Sequence, residues 1–318
     1  MEPANPSNTF KAIAGATSRR ADPSRMDYLD RCDASLADKP RLSAVFDPAW
    51  RADLRARALA EPPDPTFGYP VAYWWPMLDV MCPGGAFAPQ FQTRIETGLD
   101  VLWPKMGVRN RSDVTARLRA GGPSVCDELL AAAAFAAEFG CEAVALPAAA
   151  PHERKPEFVV DVPPARWAVE CRQLQDAHEV QARNDQMIRT GQPWVAAAQP
   201  DRDANRLRAA IVKKIMRAQG GGPTFIILTS YTPWLMPDEM QTTVRRILRE
   251  PGSVGVTESD LPIGIACLFW TVVQGVWFCD SVCAAASIDG ALRERIRRAV
   301  VQGFVPRTDV ALLTEAGW

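Results

Sequence analysis

The chain has 318 residues, 47% of them hydrophobic and 23% charged, which is a composition for a globular protein with one large core or two smaller ones. A net charge of −1 excludes a general coat for polyanions and leaves only a local basic face for nucleic acid. Eight cysteines without a CxxC pair, beside two histidines, speak against a zinc ribbon; with no signal-peptide pattern and no run of 18 apolar residues, the expectation is a cytoplasmic protein with reduced cysteines and no membrane span.

Residues 1–40 carry Pro, Ser, Asn, Asp and Arg with little apolar periodicity and read as a flexible leader. Residues 41–110 read as a helical and aromatic extension. A short helix is expected over 49–60, and a packed loop over 62–83 that includes Tyr73, Trp74 and Trp75. A further helical run is expected over 113–120, ended by Gly121, Gly122 and Pro123. Ser124 precedes Asp127 by three positions, as a capping pair does, so the next helix is expected over 124–139 with Gly140 as its stop. Leu129, Leu130, Ala133, Ala136 and Ala137 form the face that would pack on a sheet.

Strands are expected over 141–146, 158–162 and 167–171, the last two joined as a hairpin by Pro163-Pro164. The polar stretch 173–191 reads as helical and 192–200 as a linker. Residues 203–219 form an amphipathic helix with Leu207, Ile211 and Ile215 as its apolar stripe, closed by three glycines. A buried strand follows over 224–228, a helix over 237–250, strands over 263–270 and 273–279, and a helix over 290–302. The order predicts an α/β fold with a mixed central sheet flanked by helices. Its core spans 111–280, and a C-terminal helix and tail span 281–318.

The hairpin concentrates the polar chemistry. Pairing through the Pro163-Pro164 turn brings Glu157 and Glu170 together at one end. Two adjacent carboxylates repel unless a cation lies between them. Hard divalent cations favour such oxygen ligands, and can neutralise a phosphoryl transition state. Arg172 lies two residues after Glu170 and so projects from the same side of the strand.

The stretch Lys155-Pro156-Glu157-Phe158, with Trp167-Ala168-Val169-Glu170-Cys171-Arg172, resembles the core of the PD-(D/E)xK, or restriction-endonuclease-like, nucleases. In that family a Pro-Asp pair opens one strand, and a hydrophobic run ending in Glu-x-Lys closes the next. A preceding helix often adds a Glu, matched here by Glu128. The helix over 203–219 and the strand over 224–228 resemble the elements that follow the motif. The resemblance covers about a third of the chain. Glu157 stands where the family has Asp, and Arg172 where it has Lys. Arginine contacts phosphate but stays protonated, so it cannot act as a base. Lys213 and Lys214 could supply a cation from the next helix, and Asp161 a carboxylate if the register slips.

The resemblance implies a metal-dependent nuclease acting on DNA, with Mg²⁺ or Mn²⁺ held by Glu128, Glu157 and Glu170. Glu157, Glu170 and Arg172 would be its catalytic residues. Arg206, Lys213, Lys214 and Arg217 cluster on the polar face of 203–219 as candidate phosphate-backbone contacts. The alternative is a nuclease fold whose site has decayed into a binding or assembly module, working with a protein partner or as a homo-oligomer. Neither His152 nor His178 has a GxSxG serine nearby, and Gly220–Gly222 lacks the Lys-Ser/Thr of a phosphate loop.

Overall fold

The computed structural model describes residues 30, 33–60, 88–120, 123–147, 156–174, 209, 212–213, 223–230, 237–269, 275–280, 288–304 and 311–312. The first helices form where their first-turn N–H groups find acceptors. In α1 (Pro40–Val45) the proline opens the helix, where a missing N–H is harmless. The Glu96 carboxylate accepts the N–H of Arg41 at 2.7 Å and of Leu42 at 2.8 Å. In α2 (Pro48–Ala60), Asp47 Oδ1 accepts the Trp50 N–H at 2.9 Å, a local cap. Next come α3 (Ala88–Leu102), α4 (Val108–Arg119) and α5 (Pro123–Phe139).

Helix α4 starts five residues before the expected run. Helix α5 starts at Pro123, so Ser124 lies within its first turn and its Oγ instead accepts from Arg117 at 3.3 Å. The six alanines of α5 have a packing reason. Ala131, Ala132 and Ala134 are 0–2% exposed, because α3 and the later helix α7 flank α5 as well as the sheet. The expectation of a single packed face is therefore too narrow, and Ala137 is exposed. At Gly98 the approach of α3 is so close that a Cβ would stand 2.1 Å from the Leu129 carbonyl oxygen.

Among the described residues the sheet has seven strands in the order β1 to β7. They are β1 (Val144–Ala145), β2 (Phe158–Val162), β3 (Ala165–Leu174), β4 (Thr224–Ser230), β5 (Gly264–Phe269), β6 (Gly275–Asp280) and β7 (Ala311–Leu312). Five are long and two, β1 and β7, are two-residue edges. β1, β2 and β3 form an antiparallel meander; β4 lies parallel to β3, and β5 parallel to β4. β6 returns antiparallel to β5, with β7 parallel beside it. Among the described residues, α6 (Pro237–Arg249) and α7 (Gly290–Phe304) also pack on the sheet. The chain is thus an α/β protein with a mixed open sheet between helical layers, as the element order predicts.

Alternation along the strands feeds two cores. On one face Phe158, Val160, Trp167, Val169, Phe225 and Ile227 pack under α5 and α7. Phe135 is the hub, with Phe158, Trp167 and Phe225 edge-on at centroid distances of 5.8–6.3 Å. On the other, Leu174, Ile226, Leu228, Ile265 and Cys267 pack under Met240, Val244, Ile247 and Leu248 of α6. Leu36, Leu42, Ile95 and Leu99 belong to the first core. The region read as leader and extension therefore contributes buried residues from Leu36 onward.

The expected strand over 141–146 is shorter. Cys141–Ala143 is a single 3-10 turn, and only Val144–Ala145 pair. β3 runs three residues beyond its expected end, so Gln173 and Leu174 are strand rather than helix. The rest of 173–191, the linker, the aromatic loop and nearly all of 203–219 lie outside the described residues. No helix among those described is long and apolar enough to cross a membrane.

Candidate active site

β3 outruns its neighbour. Phe158 pairs with Val169, whereas residues 171–174 pair, among the described residues, only with β4. The gap this leaves beside β3 opens into a cavity of about 930 Å³. Its walls come from α4, the first turns of α5, Leu146-Pro147, Pro156-Glu157 and the end of β3. The volume suits a small-molecule-sized ligand or a segment of a larger one.

The predicted pairing of Glu157 and Glu170 holds. The Glu157 N–H donates to the Val169 carbonyl at 3.1 Å, which sets the two glutamates opposite each other across β2 and β3. The Arg172 guanidinium spans them: Nη1 donates to Glu157 Oε1 at 2.9 Å and Nη2 to Glu170 Oε2. All three side chains are 15% exposed or less. A cation does lie between the carboxylates, as repulsion requires, and it is the guanidinium.

Glu128 reaches the same cavity from α5, but its partner is Arg117 of α4. Arg117 Nη1 donates to Glu128 Oε2 at 3.0 Å, and Nη2 donates to Oε1. Burial lifts the Glu128 carboxyl above its ordinary value even with Arg117 on it. Burial works to lower Arg117, but the hydrogen bonds and charge of Glu128 outweigh it and raise the guanidinium.

The Glu157 carboxyl is strongly perturbed. Burial, then the charge of Glu128, push it up to about 7, against the opposing pull of Arg172. Its Oε2 is buried and has no hydrogen-bond partner. Burial of the carboxyl first, and the neighbouring Glu128 charge second, are why Glu157 holds its proton so readily. Cys171 also lines the cavity. Burial first, and the nearby carboxylates after it, hold its thiol well above its ordinary value, so thiolate chemistry is disfavoured.

The structure brings together Glu128, Glu157, Glu170 and Arg172. Of the candidates from 203–219, Lys213 is exposed on a helical fragment, and Arg206, Lys214 and Arg217 lie outside the described residues. Asp161 pairs across the far end of the hairpin with Arg166 and is remote in register from Glu170, so no register slip brings it in.

Sequence reasoning expected the second half of α4 but gave the helix no part in the site. Arg109, Asp113 and Arg117 recur every four residues and line one wall with Asn110. That spacing was the available signal. Arg117 is committed to Glu128, while Arg109 is exposed and has no ion-pair partner among the described residues.

Among the described residues no three His, Cys, Asp or Glu side chains converge as a ready-made metal cluster. The two guanidiniums account for that, since each holds carboxylates that would otherwise face one another. One oxygen bears on a divalent cation. Glu157 offers a buried, unpartnered oxygen on a carboxyl raised by burial. No protein-family model matches the chain, and neither a curated protein nor a solved structure is significantly similar to it.

Proposed function

We propose that the chain is a metal-dependent phosphodiesterase with a restriction-endonuclease-like core, acting on DNA. The observation that carries this reading is the facing pair Glu157 and Glu170, joined by the Arg172 guanidinium, with Glu157 and Arg172 lining the cavity. The element order supports it too. A helix, three strands and a later strand over 224–230 that pairs with the third follow the order of elements on which the resemblance was drawn.

In this reading Glu157 and Glu170 hold Mg²⁺ or Mn²⁺, and Glu128 supports them from α5. The bound ion would supply Lewis-acid stabilisation of the phosphoryl oxygens and a more acidic attacking water. Arg172 contacts the scissile phosphate, and Arg109 on the opposite wall contacts its neighbour along the backbone. Asn110 and Gln173 add neutral donors to the same walls. The free thiols Cys126, Cys171 and Cys267, all buried, suit a reducing compartment such as the cytoplasm.

One observation favours a second reading, a binding or assembly module without catalysis. Arg172 already pairs with one oxygen of each carboxylate, and it cannot take up a proton from water. DNA cleavage in Mg²⁺ or Mn²⁺ separates the two readings. Wild type should cleave, and Glu170→Ala should lose at least about a hundredfold, as removal of a group that acts in the transition state does. Equal cleavage by both proteins removes the mechanism. Oligonucleotide binding without any cleavage selects the module.

A further inference from the structure

We infer that Arg172 couples metal binding to phosphate binding: its guanidinium is the resident counter-ion of Glu157 and Glu170, and it has to pass to a substrate phosphate before those carboxylates can hold a divalent cation. The inference rests on the metal-dependent reading above and adds an order of events to it.

The geometry carries it. Arg172 does not stand beside the carboxylate pair; it joins the two, with one terminal nitrogen on each. A guanidinium and a divalent cation cannot share that gap, because like charges a few ångströms apart repel strongly where water is scarce. Nor can Arg172 simply leave. Its side chain is 12% exposed and its Nε is already without a partner, so a guanidinium stripped of both glutamates becomes a buried, uncompensated charge. Its escape needs a new anion within reach.

The cavity provides the place for one. Arg172, Arg117 and Arg109 all line it. Arg117 is engaged with Glu128, so a phosphodiester there would meet Arg109 and a swinging Arg172. A phosphate matches the flat fork of a guanidinium in the same two-pronged way as the carboxylates do. Each ligand therefore removes the obstacle to the other, and by linkage the effect is reciprocal. A lysine at this position, a point charge on a flexible stem, would span the two carboxylates less well and couple less.

The test is Mn²⁺ binding by the full chain, read by calorimetry or by the loss of the free-ion resonance signal, with and without dimethyl phosphate as a minimal, uncleaved phosphodiester. In wild type, dimethyl phosphate should tighten Mn²⁺ roughly tenfold or more, within the ordinary range of coupling between sites. Arg172→Gln should bind Mn²⁺ tighter than wild type without phosphate, and phosphate should then tighten it clearly less than in wild type, leaving only its direct contact with the ion. Should Arg172→Gln unfold, Arg172→Lys carries the same test and should show a tighter starting affinity with reduced coupling. Equal Mn²⁺ affinity in wild type and the variant, or equal tightening by phosphate in both, overturns the inference while leaving a metal site standing. No Mn²⁺ binding by any of these proteins, with or without phosphate, overturns the metal-dependent reading itself.

Discussion

The carboxyl of Glu157 sets a measurable pH dependence of stability. Its ordinary value is 4.5 and its folded value is about 7, raised by burial and by Glu128. The folded state therefore binds the proton more tightly than the unfolded state does. That preference adds stability in full below about pH 4.5, and the stability is lost as pH rises through about 7. At about 1.4 kcal/mol per pH unit, the proton's extra hold is worth about 3 kcal/mol. Glu157→Gln abolishes this titration while keeping the shape of the side chain. Urea unfolding of both proteins in EDTA, from pH 5 to pH 8, isolates it from the other acids. Wild type minus variant should fall by about 2–3 kcal/mol across that range, since part of the loss lies below pH 5. A difference that stays level within about 0.5 kcal/mol, the scatter of such measurements, refutes the account of a carboxyl raised by burial and by Glu128. A difference that rises with pH would mean that Arg172 dominates over burial.

Gly98→Ala forces a methyl group to within 2.1 Å of the Leu129 carbonyl oxygen, so α3 has to move off α5. Thermal unfolding should show a loss of about 2 kcal/mol, typical of overpacking against backbone. Arg117→Gln leaves Glu128, itself only 13% exposed, without its partner. Because Arg117 is 34% exposed and water screens part of the pair, the loss should be about 1–2 kcal/mol, read from urea midpoints. The double variant Arg117→Gln, Glu128→Gln should recover most of it. A double variant no more stable than the single one would show that the two side chains act independently.

Much of the fold was legible because local rules and tertiary needs agree. The hairpin around Pro163-Pro164 came from a β-branched run, a turn and an alternating run, and its register followed from the turn. That register alone places Glu157 opposite Glu170. Helix α5 was legible from its alanines and its glycine stop. Errors arose where burial comes from a neighbour distant in sequence. The alanines of α5 read as one packed face, but α3 and α7 surround the helix, and no periodicity within 123–139 records that.

The residues by themselves determined the α/β class, the order of elements around the hairpin and the identity of the two facing carboxylates. These depend on short-range patterning and on turn chemistry, which a linear chain displays. Only the tertiary structure decided how the charges are shared. It set Arg172 across both glutamates, gave Glu128 to Arg117, and brought Arg109 to the far wall. The reason is physical: a carboxylate's partner is whichever cation the packing of separate elements brings within about 3 Å, and sequence distance does not limit that choice.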